Sequence, residues 1–222
     1  MAFRTLTIGL AAVFLSLAAS VSARAEMQFS LTTIGGSCGS HCPLAIVADG
    51  EITDSTPDEF VAFVRANARS RNVRSVVLLN SPGGKVVASM ELGRVFRKVG
   101  AATVVARAVS DSEGHSHLAA GRCFSACVYA LMGGRKRVVP AQSLVGVHRM
   151  FALEAGADPA GGGGGARRRF DNGDMRNTLS RYSQSMGVSR ELIATAERTP
   201  TETLHLLSPS EVARWRLGST RF

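Results

Sequence analysis

The segment Val-Val-Leu-Leu-Asn-Ser-Pro-Gly-Gly at residues 76–84 decides the fold. Residues 76–79 form a short apolar run, which is typical of a strand that is buried on both faces. The proline and two glycines that follow predict a tight turn, because glycine adopts backbone angles that other residues avoid. Residues 86–99 then place apolar side chains at helical spacing before Gly100. The sequence therefore predicts a strand, a glycine turn and a helix in direct succession.

The same alternation continues on both sides of this segment. Upstream, residues 44–48 predict a buried strand, and Thr56, Pro57 and Glu59 predict a capping box at the start of an amphipathic helix. Downstream, residues 102–106 predict a third strand. Strands that alternate with helices favour an α/β domain, in which right-handed crossovers place helices on the faces of a sheet.

The second half of the chain holds the candidate chemistry. Residues 111–121 are interpreted as a polar loop, and residues 123–132 as a buried helix with Ser125 near its amino end. Strands are predicted at 138–139 and 144–147, and His148 follows directly after the second of them.

The remainder of the chain is expected to be mainly helical. Residues 155–165 predict a glycine-rich flexible loop. Two helices follow, with apolar faces within 175–186 and 192–196. Ser208 and Glu211 predict a capping box for a terminal helix.

The amino terminus predicts export. Arg4 precedes the apolar run 6–19, and Ala23-Arg24-Ala25 has the small-x-small pattern of a signal-peptidase site. We therefore expect a signal peptide at 1–25, one domain at 26–222, and a periplasmic or secreted location after cleavage near Ala25. The mature part would keep a formal charge of +7 (9 minus 2) on 197 residues (222 minus 25), enough chain for a sizeable core.

Composition argues against nucleic-acid binding. The basic residues are scattered, and only two Tyr and one Trp are available for stacking on bases. The triple-arginine run at 167–169 is interpreted as solvated, although such a run also suits phosphate or anionic lipid. His115 and His117 have no third ligand nearby, so we expect no metal site there and no cofactor.

The four cysteines form two pairs of equal spacing: Cys38 with Cys42, and Cys123 with Cys127. In an exported protein such cysteines predict two disulfides, and four cysteines allow three pairings. Zinc is the weaker interpretation, because structural zinc sites usually separate cysteines by two residues and add histidines at a matching interval, which His41 does not supply.

Ser125 and His148 are candidates for acyl transfer. A serine hydroxyl is a weak nucleophile and needs a base within hydrogen-bond reach, together with donors for the oxyanion that forms. A helix start favours negative charge beside Ser125, and Gly83-Gly84 allows backbone amides to approach a substrate closely. His148 lies 23 residues further on (148 minus 125). The helix and strands between them make the chain long enough to return to Ser125.

These motifs together resemble the ClpP-type serine proteases of the ClpP/crotonase fold. The resemblance rests on Asn-Ser-Pro-Gly-Gly at 80–84, on Ser125 opening an apolar helix that ends in Gly133-Gly134, and on Val-Gly-Val-His at 145–148. The predicted order of strands and helices matches that of the family over roughly residues 44–218. It implies a mostly parallel sheet of repeated ββα/βα units with flanking helices. More narrowly, the signal peptide and Cys-Phe-Ser-Ala-Cys resemble the predicted periplasmic ClpP-like proteins of proteobacteria.

The resemblance also implies roles for individual residues. Ser125 becomes the nucleophile, His148 its general base, and the amides of Gly84 and Ala126 the oxyanion hole. The family's orienting aspartate has no counterpart in 199–205. Glu202 is the nearest carboxylate and the tentative third member, while a threonine or a backbone carbonyl are the alternatives.

The function expected from these observations is peptide-bond hydrolysis in the cell envelope, with a peptide or protein substrate. Self-association is expected from the family's ring assemblies, and export argues against an ATP-driven unfoldase as partner. Two other functions remain open. The missing aspartate favours a non-catalytic binding or scaffold protein, and the related crotonase architecture suggests an acyl-coenzyme A enzyme, against which export weighs.

Overall fold

The computed structural model describes residues 25–34, 42–68, 73–110, 116–154, 167–170 and 173–221. It confirms the predicted α/β class, with a mostly parallel central sheet and flanking helices. The predicted signal peptide up to residue 24 and the glycine-rich stretch 155–165 lie outside the described residues. Within the ranges just given, no helix combines the length and the apolarity that crossing a bilayer requires.

The elements, in chain order, are β1 (Gln28–Thr33), β2 (Leu44–Asp49), α1 (Thr56–Asn67), β3 (Val73–Asn80), α2 (Val86–Lys98), β4 (Ala102–Ser110), β5 (Ser116–Ala120), β6 (Arg122–Phe124), α3 (Cys127–Met132), β7 (Lys136–Val138), β8 (Leu144–Val147), β9 (Phe151–Glu154), β10 (Arg167–Phe170), α4 (Asp174–Ser185), α5 (Glu191–Arg198), β11 (His205–Leu206) and α6 (Pro209–Arg214).

The central sheet has the strand order β1-β2-β3-β4-β5, and β7 also pairs with β4. The pairs β2/β3, β3/β4 and β4/β7 are parallel, whereas β1 and β5 pair antiparallel at the edges. Val77, Leu78 and Leu79 are completely buried although successive side chains point to opposite faces. Burial on both faces explains why β3 appears in the sequence as a continuous apolar run.

A smaller sheet with the order β11-β8-β6 stands beside the central one. It is joined to β3 through Ser81, whose amide donates to the Arg122 carbonyl at 2.8 Å and whose carbonyl accepts from the Phe124 amide at 3.1 Å. This junction places the end of β3, the end of β6 and the end of β8 side by side. The candidate functional residues leave the sheets at these three ends.

The helix α3, which follows Ser125, is held between α2 and α4. The Tyr182 hydroxyl of α4 donates to the Tyr129 carbonyl at 2.7 Å. A Cβ at Gly93 of α2 would lie 2.1 Å from that hydroxyl and 2.8 Å from that carbonyl. Only glycine therefore lets the three helices approach so closely, and this close packing fixes the position of α3.

The interpretation of 111–121 as a loop was wrong for residues 116–120. These residues form β5, which pairs antiparallel with Ala106–Ser110 of β4. Strand β4 is longer than predicted, and β7 covers only its first part, Ala102–Val104. The backbone groups of the second part need other partners, and β5 supplies them.

Two helix starts also differ from the prediction. Helix α1 has Ser55 as its N-cap residue without a side-chain cap hydrogen bond, so the capping box predicted at Thr56 was wrong. The Thr56 hydroxyl instead accepts from the Thr53 amide at 2.9 Å. The helix predicted over 123–132 begins only at Cys127, because the preceding residues pair as a strand with β8.

Candidate functional site

Ser125 occupies a sharp turn between a strand and a helix. Strand β6 ends at Phe124, α3 begins at Cys127, and Ser125 has a φ of 53°. A positive φ is uncommon and costly for a residue other than glycine. A serine on a strained strand-to-helix turn is the arrangement known as the nucleophile elbow. The side chain of Ser125 is half-buried, so its hydroxyl is neither lost in the core nor fully solvated.

The strand β8 brings His148 to this elbow. Strands β6 and β8 run parallel, with Phe124 opposite Gly146, and the Ser125 amide donates to the Gly146 carbonyl at 2.8 Å. His148 is the second residue after Gly146, so its backbone leaves the strand beside Ser125. Main-chain pairing thus places the end of β8 beside the turn that carries Ser125.

The two side chains do not form a hydrogen bond in this state. The Ser125 hydroxyl makes none with His148 or with any other described residue. The pairing of β6 with β8 thus brings the two backbone segments together, without a hydrogen bond between the two side chains.

The imidazole of His148 has a defined hydrogen bond. Its Nδ1 lies 2.8 Å from the Arg149 carbonyl oxygen. A carbonyl only accepts, so Nδ1 carries the proton in this contact, and Nε2 of the neutral ring is left as the acceptor. The Arg149 amide in turn donates to the Thr199 carbonyl at 2.8 Å, which anchors this peptide to the end of α5.

The glycine turn packs directly against the elbow. A Cβ at Gly83, where φ is 110°, would lie 3.0 Å from the Ser125 Cβ and 3.2 Å from the Ala126 nitrogen. The Ser81 hydroxyl accepts from the Gly83 amide at 3.1 Å, and the Gly83 carbonyl accepts from the Ile52 amide at 2.8 Å. These bonds hold the turn against Ser125 without using the amide of the next residue.

Two backbone amides of the glycine turn and the elbow have no hydrogen-bond acceptor among the described residues. The amides of Gly84 and Ala126 donate to no other group in the described part of the chain, whereas the neighbouring amides of Gly83, Lys85 and Ser125 all have acceptors. Gly84 has a φ of 136° and packs against the Ile52 backbone, where a Cβ would lie 2.0 Å from its carbonyl oxygen. Unpaired amides of this kind are the donors that an oxyanion hole requires.

The structure does not bring Glu202 to His148. Its carboxylate is exposed and accepts hydrogen bonds from the Thr201 hydroxyl and the Arg168 guanidinium. The Thr201 hydroxyl and then Arg168 hold the pKa of Glu202 below its ordinary value. The Arg149 carbonyl occupies the position at Nδ1 where the carboxylate of a triad would lie. No sequence pattern identifies such a group, because every residue has a carbonyl.

The three cysteines among the described residues are all disulfide-bonded. Cys123 and Cys127 form a disulfide with a Cα–Cα distance of 5.2 Å, so it encloses Ser125. Cys42 is also disulfide-bonded, while Cys38 lies outside the described residues. Of the two histidines weighed as metal ligands, His117 lies on β5 and His115 falls outside the described ranges.

No protein-family model matches the chain, and no curated protein matches it. Among solved structures, a mutant of the 1510-N membrane-bound stomatin-specific protease aligns at 17% identity and a TM-score of 0.51, covering 80% of this chain and 79% of that one. A second mutant, in complex with a substrate peptide, aligns at 17% identity and a TM-score of 0.50, covering 80% and 74%. ClpP1 from Listeria monocytogenes aligns at 17% identity and a TM-score of 0.49, covering 78% and 88%. This chain therefore shares its fold with the stomatin-specific protease.

Proposed function

We propose that the protein is an exported serine hydrolase, a peptidase that acts through an acyl-enzyme. The observation that carries the proposal is the elbow at Ser125: the Ser125 amide is hydrogen-bonded to β8, the strand directly before His148. The peptide substrate bound by a protein of the same fold supports a peptide as the substrate class. Export rests on the amino-terminal sequence, which also makes the periplasm or the exterior the proposed location. The proposed protein also associates with copies of itself and does not work with an ATP-driven unfoldase.

The proposed reaction begins when Nε2 of His148 takes the hydroxyl proton of Ser125. The serine oxygen attacks the peptide carbonyl, and the amides of Gly84 and Ala126 stabilise the oxyanion. The imidazolium returns the proton to the leaving amine as the acyl-enzyme forms. Water then repeats these steps, with His148 as base, and releases the acid.

The Arg149 carbonyl takes the part of an orienting group in this scheme. It accepts from Nδ1 and so selects the tautomer in which Nε2 is free to act as base. A neutral carbonyl stabilises the imidazolium less than a carboxylate does, because it carries no net charge. We therefore expect slower turnover than in enzymes with a complete triad; removing the aspartate from one such triad costs roughly ten-thousandfold.

A fluorophosphonate probe tests the proposal, because it labels only activated serines. We expect the full-length chain to be labelled and the Ser125→Ala variant not to be. Ser30→Ala, which removes an exposed serine of β1, is the matched control and should be labelled like wild type. Equal labelling of wild type and Ser125→Ala would rule out Ser125 as the nucleophile.

A binding protein that retains the fold is the second candidate function. The observation that favours it is the missing hydrogen bond between Ser125 and His148 among the described contacts. In that case wild type would not react with the probe at any pH between about 6 and 9. A peptide would still bind at the glycine turn, and Gly83→Ala would weaken its binding.

A further inference from the structure

The disulfide Cys123–Cys127 spans the elbow that presents Ser125. Both cysteines are completely buried, and the bridge joins the last part of β6 to the first residue of α3. The residues two before and two after a nucleophile on such an elbow are usually glycines, because strand and helix approach closely there. In this chain both positions are cysteine, and the two side chains are bonded to each other.

The bridge limits the shapes that the elbow can adopt. Cys123 and Cys127 have Cα atoms 5.2 Å apart, whereas four extended residues would separate them by about 13 Å. A disulfide requires Cα atoms closer than about 7 Å. The chain must therefore turn back within Phe124, Ser125 and Ala126 for as long as the bridge is intact.

Ser125, which lies between the two bridged cysteines, has a backbone conformation that a serine does not ordinarily prefer. A non-glycine residue at a φ of 53° is disfavoured relative to the ordinary helical and extended regions. The hydrogen bonds that hold it are the one from the Ser125 amide to Gly146 and the one from the Val128 amide to the Ser125 carbonyl at 3.2 Å. If Ser125 relaxed to a negative φ, its hydroxyl and the Ala126 amide would both change direction.

We propose that the Cys123–Cys127 disulfide is a positioning group for catalysis, which holds the Ser125 hydroxyl and the Ala126 amide in the orientations that acyl transfer requires. This inference rests on the proposed function. Misplacing a reacting group by about 1 Å can slow an enzyme about a hundredfold. Loss of the bridge should therefore lower the reaction rate of Ser125 by about ten- to hundredfold, while the fold persists.

The test measures the rate of fluorophosphonate labelling per reactive site in the full-length chain. The variant Cys123→Ala/Cys127→Ala removes the bridge and keeps small apolar side chains, and Cys38→Ala/Cys42→Ala is the matched control. The final labelled fraction counts the competent sites, so a merely structural role would lower that fraction or the melting temperature and leave the rate per site unchanged. We expect the elbow variant to label at least tenfold more slowly to the same final fraction, and the control to label like wild type.

A second measurement covers the case in which the elbow variant does not fold. In the Cys38→Ala/Cys42→Ala chain, dithiothreitol can reduce only the elbow disulfide to two thiols, and is itself oxidised to its cyclic disulfide. We expect the labelling rate to fall on reduction and to recover on reoxidation. An unchanged rate, with two thiols counted by a maleimide, overturns the positioning role. Failure of wild type to label at all overturns the hydrolase proposal, and this inference with it.

Discussion

Replacing Gly83 by alanine should disable the candidate site at a modest cost in stability. The new methyl group would lie 2.8 Å from the Phe124 carbonyl oxygen, 3.0 Å from the Ser125 Cβ and 3.2 Å from the Ala126 nitrogen. The first distance is too short for a real contact, so the turn and the elbow must move apart. Ser125, the proposed nucleophile, and the Ala126 amide, a proposed oxyanion donor, would be displaced together. Loss of one such donor alone costs about 10²–10³ in kcat, which corresponds to roughly 3–4 kcal/mol.

The control for this prediction is Gly173→Ala. Gly173 has a φ of 115°, close to the 110° of Gly83, but no atom lies within 4 Å of its Cβ position. Both variants therefore incur a similar backbone strain, of order 1–3 kcal/mol. Only the Gly83 variant places a methyl group against the site, so the difference between them isolates the effect on catalysis.

The assay combines fluorophosphonate labelling rates with chemical unfolding of the two variants. We expect a larger loss of unfolding free energy in Gly83→Ala than in Gly173→Ala, because only the first adds a steric overlap to the backbone strain. In the folded proteins, the labelling rate should fall about a hundredfold or more in Gly83→Ala and less than threefold in Gly173→Ala. A Gly83→Ala protein that is folded and labels within threefold of wild type would refute the assignment of this turn to the oxyanion hole.

Three further results are expected. Glu202→Gln should label within about twofold of wild type, because a hydroxyl and a guanidinium already hold that carboxylate; a tenfold loss would restore it as a member of the triad. Burial alone would raise the pKa of Glu211, but hydrogen bonds from the Ser208 amide and the His205 ring lower it overall. A carboxylate with a lowered pKa in the folded state stabilises the protein above its unfolded-state pKa, about 4.3, and this contribution is lost as the pH falls. The stability difference between wild type and Glu211→Gln should therefore shrink from pH 6 to about pH 3 in urea titrations, and a constant difference would contradict the pKa direction. Tyr182→Phe leaves a buried carbonyl without its donor and should cost about 1–3 kcal/mol in the same titrations, whereas no measurable loss would mean that water replaces the hydroxyl.

Local sequence patterns predicted the elements that depend on local physics. The apolar run before the glycine turn is β3, and the apolar face predicted within 175–186 belongs to α4. The capping box at Ser208 and Glu211 is confirmed in both of its hydrogen bonds. In each case the residues that determine the structure lie within a few positions of one another.

The elbow could not be predicted because distant residues create it. Cys-Phe-Ser-Ala-Cys has the small and apolar composition of a buried helix, and the sequence offers no reason to end a strand at Phe124. Strand β6 exists because Ser81 and β8 supply hydrogen-bond partners on its two sides. The contact of the Arg149 carbonyl with His148 could not be predicted either. Every residue has a backbone carbonyl, so the sequence does not show which one makes the contact. Of the three cysteine pairings left open, only the structure shows that Cys123 joins Cys127.

The parallel pairing of β6 with β8 makes the spacing between Ser125 and His148 independent of most of the chain between them. The two residues are aligned across one hydrogen-bonded ladder, so the turn at 140–142, which closes through the Ser143 amide and the Pro140 carbonyl at 2.9 Å, does not determine their distance. Ala141 and Gln142 in that turn are exposed. An inserted reporter or affinity module should be accommodated there, which makes this turn a place to attach cargo without disturbing the chemistry.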